Sequence, residues 1–186
     1  MAPRPAGDGV ASQLTELVAD SILRPRYAAR TILDLNISQR VLIEAGIAIS
    51  AAAVVLSYLT LRLVPNASDP LTTALIANPL AGAALQFGML MGIAFGADRI
   101  GRLFGGQGRF DGALALIVWL NTLLLAGQTV YLLILVAVPQ LAGLLSLALM
   151  FWAFWAFASF VAELHDFESV LPVMGGILVT AMVMVM

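Results

Sequence analysis

The sequence predicts an all-α fold: an integral membrane bundle of five transmembrane helices, with a cytoplasmic N-terminus and a short amphipathic helix ahead of the first span. Three observations predict it. The chain is 61% hydrophobic and only 11% charged, with a mean hydropathy of +1.00, whereas a soluble domain is roughly 45–50% apolar and about 25% charged. A globule of 186 residues cannot cover its surface with so few charges, so much of that surface faces lipid. Apolar stretches long enough to cross a bilayer recur along the chain, and the arginines gather in alternate connections. The net charge of −2 argues against a nucleic-acid partner. The absence of cysteine excludes disulfides, thiolate metal sites and cysteine nucleophiles.

The first forty residues form a cytoplasmic region without the compact apolar stretch of a cleavable signal. Residues 1–11 are expected to be disordered. Beyond them Leu14, Val18, Ile22 and Leu23 form one apolar stripe at helical spacing, with Glu16 and Asp20 on other faces. Such a helix lies on the membrane surface or packs on the cytoplasmic loops. After Pro25, residues 27–35 can form a further turn or two.

Residues 41–186 read as the transmembrane domain. A span needs about 20 mainly apolar residues. The first covers 41–64, with Glu44 and Arg62 near its ends, and 65–70 is a proline-bounded loop. Residues 71–78 suit a short interfacial helix that Asn78-Pro79 interrupts, and the second span covers 80–97. A polar connection follows over 98–111. From 112 to 162 no residue is charged, a stretch that Pro139-Gln140 divides into spans at 113–138 and 141–162. After the acidic turn at 163–168 a last span covers 170–186, at the short end of the range. With the N-terminus inside, the cytoplasmic segments hold eight of the nine arginines, all but Arg62.

Helices in lipid associate through close backbone contact and interhelical hydrogen bonds. In the second span Ala84, Gly88, Gly92 and Gly96 recur every fourth residue and leave a groove, suited to an internal neighbour more than to a second copy. Asn121 and Gln128 lie two turns apart on one face of the third span, continued by Tyr131, and should turn inward, with Gln86 as a candidate partner. Phe151, Trp152, Phe154, Trp155, Phe157 and Phe160 place aromatic rings partly at the cytoplasmic interface, the others against lipid or neighbouring helices.

Two short runs could carry function. Gly105-Gly106-Gln107-Gly108-Arg109-Phe110 is a compact glycine turn. It lacks the downstream Gly-Lys-Ser/Thr of a phosphate loop and does not follow a strand, so a tight turn is preferred to a nucleotide site. Glu163-Leu164-His165-Asp166-Phe167-Glu168 sets one histidine among three carboxylates. Metal ligation is one reading. Pairing with Arg99, Arg102 and Arg109 on the same face is preferred, with Arg109 and Glu168 as the pair to test. The candidate partner or headgroup face is therefore Arg99, Arg102, Gly105, Gly106, Gly108, Arg109, Glu163, His165 and Glu168. Asn66-Ala67-Ser68 matches a glycosylation acceptor, a pattern common by chance. No nucleophile–base pair, intramembrane metal-ligand set or ionisable residue at membrane depth is legible, so neither an enzyme nor a cofactor protein is expected, and an ion-coupled transporter is disfavoured.

With these residues in view, the chain resembles the Yip-domain membrane proteins, named for interaction with Ypt/Rab GTPases. The resemblance rests on the glycine turn leading into 112–125, on the preceding Arg99-Ile100-Gly101-Arg102-Leu103-Phe104, and on five spans with a cytoplasmic N-terminus. It covers most of the chain, from about residue 41, and looks in particular like the short bacterial members, where Phe160-Val161-Ala162-Glu163-Leu164-His165 has a familiar look too. It implies a non-enzymatic multi-pass protein of the bacterial inner membrane, in contact with lipids and with a membrane or peripheral protein partner. Many eukaryotic members carry an Asp-Leu-Tyr-Gly-Pro type motif ahead of the first span. This chain reads Asp34-Leu35-Asn36-Ile37 there, which speaks against GTPase binding. The expectation is a membrane-organising or adaptor protein. The alternative is a small transporter or channel, a homo-oligomer assembled through the Gly88/Gly92/Gly96 groove.

Overall fold

The computed structural model describes residues 8–63 and 77–185. Among them are seven helices and no strand: α1 Asp8–Leu23, α2 Pro25–Asp34, α3 Gln39–Leu63, α4 Pro79–Leu103, α5 Phe110–Ala137, α6 Pro139–Leu164 and α7 Val170–Val185. Residues 8–11, expected to be disordered, are helical. The expected 65–70 loop, the Asn66-Ala67-Ser68 motif, residues 1–7 and most of the expected 71–78 helix lie outside the described residues.

Four helices, α3 to α6, are 25, 25, 28 and 26 residues long and apolar enough to cross a bilayer. At 1.5 Å per residue each spans at least about 37 Å, more than the roughly 30 Å of hydrocarbon. Proline opens two of them, where its missing N–H costs no hydrogen bond. Before α4, Asn78 caps the helix, its Oδ1 accepting from Ala81 N at 3.2 Å. The fifth expected span, α7, has only 16 residues, about 24 Å, and is shorter than the hydrocarbon layer.

The expected polar connection over 98–111 is mostly helix. α4 runs on to Leu103 and α5 starts at Phe110, leaving six residues between them. The physical reason is local: Arg102 reaches back one turn to Asp98, and the charged end of α4 stays helical by pairing with itself.

The packed core lies at the end of the bundle where α3 begins and α4 ends. It contains Leu42 of α3, Leu90, Ala94 and Ala97 of α4, Ala113 to Val118 and Leu120 of α5, and Ala156, Phe160, Val161 and Leu164 of α6. Ala29 and Ile32 of α2 complete it. At the opposite ends, Val55, Leu59, Leu133, Val136, Leu144 and Leu147 are exposed.

Two packing expectations are corrected. The Gly88/Gly92/Gly96 stripe faces outward, since a Cβ built at any of the three meets nothing within 4 Å. The opposite face of α4, with Leu90, Ala94, Ala97 and Gly101, is the buried one. The amides form no polar seam either. Asn121 Nδ2 donates to Ile117 O in its own helix at 2.9 Å, and Gln128 is exposed. Backbone carbonyls one turn away satisfy the Ser, Thr and Asn side chains here, which removes the need for an interhelical partner.

Candidate functional site

α4 and α6 both end at the packed end of the bundle, and both close with the same backbone device. Gly106 N donates to Gly101 O at 3.0 Å and Gly105 N to Arg102 O at 3.0 Å. Gly105 takes φ +86°, as the residue after such a helix end must, and glycine does so without a Cβ penalty. In α6, Phe167 N donates to Ala162 O at 2.8 Å and Asp166 N to Glu163 O at 3.2 Å, with Asp166 at φ +56°. The two capped ends interlock through one side chain, His165.

His165 is buried at 2% exposure. Its Nδ1 accepts from Gly108 N at 3.1 Å, and its Nε2 lies 3.0 Å from Ala97 O. These partners assign the neutral ring with its proton on Nε2. Phe167 stacks on the ring at 5.6 Å between centroids. Glycines make the space: a Cβ at Gly101 or Gly106 would overlap the imidazole, and one at Gly108 would stand 2.7 Å from Cε1. The glycine turn and the acidic turn are therefore two halves of one latch, with the histidine of the second seated in the first.

The charges around this latch pair differently from the sequence expectation. Glu163 faces α2, where Arg26 Nε reaches Oε2 at 3.2 Å and Arg30 Nη2 reaches Oε1 at 2.7 Å. Arg26 also donates to Phe167 O at 2.8 Å and Glu168 O at 3.0 Å, clamping the acidic turn. Hydrogen bonding to the Glu163 carboxylate, and its charge, raise Arg30 above its ordinary value. Arg102 and Arg99 pair with Asp98, whose side chain is only 2% exposed, and Arg109 lies 3.7 Å from Asp111. The expected pairing of Arg99, Arg102 and Arg109 with the acidic turn is thus replaced by pairing with α2. The physical reason is that α2 lies across the end of α6 and delivers two arginines one helical turn apart. No cluster of three metal-ligand side chains forms among the described residues, and both ring nitrogens of His165 are already engaged within the fold.

The sequence-predicted face thus separates into two layers. Gly106, Gly108, Glu163 and His165 form an inner scaffold, while Arg99, Arg102, Gly105, Arg109 and Glu168 remain exposed outside it. Beside the glycine turn lies a cleft of about 460 Å3 between the α2–α3 connection and the start of α5, lined by Asn36, Ser38, Gln39, Gln107, Arg109 and Asp111 over Leu33 and Leu164. Sequence reasoning missed the roles of Gly101, Gly112, Asp98, Arg26 and Arg30. Gly112 admits α2 and α6 to the start of α5, where a Cβ would stand 2.8 Å from Leu33 Cδ2. Asp98 and Arg102 carried a readable signal in their four-residue spacing, whereas nothing local marks Arg26 for Glu163, 137 residues away.

A family model described as Yip1 domain matches residues 19–186. No curated protein and no solved structure matches the chain.

Proposed function

The chain belongs to the Yip1-domain family, and from that premise we propose that it is a non-enzymatic membrane-organising or adaptor protein that meets a protein partner or lipid headgroups at its arginine-rich end. Four helices long and apolar enough to span a bilayer make it an integral membrane protein. In the proposed orientation the N-terminus is cytoplasmic, because the arginines of α2, α4 and the α4–α5 turn share one end of the bundle. The bacterial inner membrane is the proposed location.

The observation that carries this reading is where packing and bonding are concentrated. The buried core, the His165 latch and the Glu163 clamp all lie at that end, while Arg99, Arg102 and Arg109 project from it. A binding surface built on a fixed scaffold loses little conformational entropy on association.

The test is crosslinking in native membranes, followed by affinity capture, of the wild type and an Arg99→Glu/Arg109→Glu variant. These side chains are 64% and 87% exposed, so the variant leaves the latch intact. One protein recovered in near-equal amount from wild type, and lost in the variant, is the expected result. Equal capture by both, or recovery of the chain alone with unselective lipid, would overturn the assignment of this face.

A further inference from the structure

α1 presents an apolar stripe that the other described residues leave uncovered. Leu14, Val18 and Ile22 are 51%, 37% and 48% exposed, although the helix itself is docked. Docking runs through its neighbouring edge: Ser21 is fully buried, Leu17 packs on the core, and Trp119 Nε1 donates to Ser21 Oγ at 2.9 Å. Trp119 lies nine residues into α5, so the residue that makes this contact stands about 13 Å along a membrane-crossing helix from its start.

That position decides what covers the stripe. At 100° per residue, Leu17 and Ser21 occupy one edge of the apolar sector, Leu14, Val18 and Ile22 continue from it, and Glu16 and Asp20 lie on the far side. A helix held in this register beside a span has protein along one edge, lipid against its apolar face and water against its acids. α1 contains no Lys or Arg and three acids, Asp8, Glu16 and Asp20. Attraction to anionic headgroups cannot hold it, and apolar insertion is the remaining attraction. The match to the family opens at residue 19, so most of α1 lies ahead of the matched region.

We propose that α1 is a fixed in-plane element of the leaflet on the arginine-rich side, its Leu14/Val18/Ile22 stripe seated among lipid acyl chains and its position set by the Trp119–Ser21 bond. The proposal rests on the bundle spanning a membrane, and the experiment separates the two.

The chain has no native cysteine, so single-cysteine variants of the full-length protein suffice: Leu14→Cys, Ile22→Cys and, on the far side, Glu16→Cys. Each carries an environment-sensitive fluorophore and is reconstituted into phosphatidylcholine vesicles. We expect blue-shifted emission and several-fold stronger quenching by spin-labelled lipid at 14 and 22 than at 16, unchanged when anionic phosphatidylglycerol is added. Water-like emission at all three positions, or insertion only with the anionic lipid, would overturn the proposal. So would disulfide crosslinking of Leu14→Cys between chains with loss of lipid quenching, since a second copy would then cover the stripe. A chain that alkaline carbonate strips from the vesicles overturns the membrane reading and the proposal with it. A retained chain with water-exposed stripe labels overturns the proposal alone.

Discussion

His165 is a small group asked to hold two helix ends together, and its surroundings make that role measurable. Replacing it with alanine leaves Gly108 N–H without its partner in a buried site and removes the second contact that Ala97 O makes beyond its own helix. A cost of about 2–4 kcal/mol follows, from one unmet donor, a lost contact and a cavity. Gly106→Ala drives a Cβ into the ring and should cost a similar amount, about 1–3 kcal/mol. The two effects share one cause, so in thermal unfolding of the purified protein the double variant should be much less damaged than the sum of the single ones. Additive losses would show that the glycine does not serve the histidine. Asp166 offers the opposite sign. It holds φ +56° just past the end of α6, where glycine is favoured, so Asp166→Gly should raise stability by about 1 kcal/mol. A lowered unfolding temperature would count against the cap assignment. The glycine turn and the acidic turn were both legible in the sequence as special, because their residue types are unusual beside apolar spans. That one fills the other was not, since 57 residues separate Gly108 from His165 and local pattern carries no distance across a fold.

α2 behaves as a brace whose hold on the bundle is ionic at one end and apolar along its length. Its Ala28, Ala29 and Ile32 are buried, and Arg26 and Arg30 share the Glu163 carboxylate. Glu163→Gln should cost about 1–3 kcal/mol, as a partly buried pair loses one partner. It should also quicken proteolysis within residues 24–38, as followed by mass spectrometry. Arg109→Glu, at a side chain 87% exposed, should stay within about 0.5 kcal/mol of wild type; equal damage from both would restore the pairing read from sequence. α4 gives a parallel contrast. Gly92→Leu should leave the stability of the monomer unchanged, since a side chain there enters open space, whereas Gly101→Leu should prevent the latch from closing. The four-residue spacing of Ala84, Gly88, Gly92 and Gly96 was readable in the sequence, while the opposite face carries Ala94, Ala97 and Gly101. Only packing distinguishes the two faces, because the face that receives His165 and the α5 core must be the inner one.

On the scale of the whole molecule, stability is concentrated at the arginine-rich end. Amide hydrogen exchange should therefore be slowest around Ala94, Leu116 and Phe160, and faster around Leu59 and Val136 at matched solvent access. Uniform protection along α3 to α6 would contradict this distribution. The all-α class, the membrane setting and four long helices were determined by the sequence alone, with each end but one within three residues; α4 runs six residues beyond its expected end, and the fifth expected span is a helix of only 16 residues. Length and hydropathy decide those features, and both are properties of a continuous stretch of chain. Family membership was legible in the same way, from the glycine turn and the segment before it. Tertiary structure alone decided which stripe of α4 faces inward, which arginines neutralise Glu163, and where α1 rests. Each of these is a choice among residues of equal chemistry, Arg26 over Arg109 or Gly101 over Gly92. Such choices are made by which surfaces the folded helices bring within a few ångströms, and no local spacing encodes that.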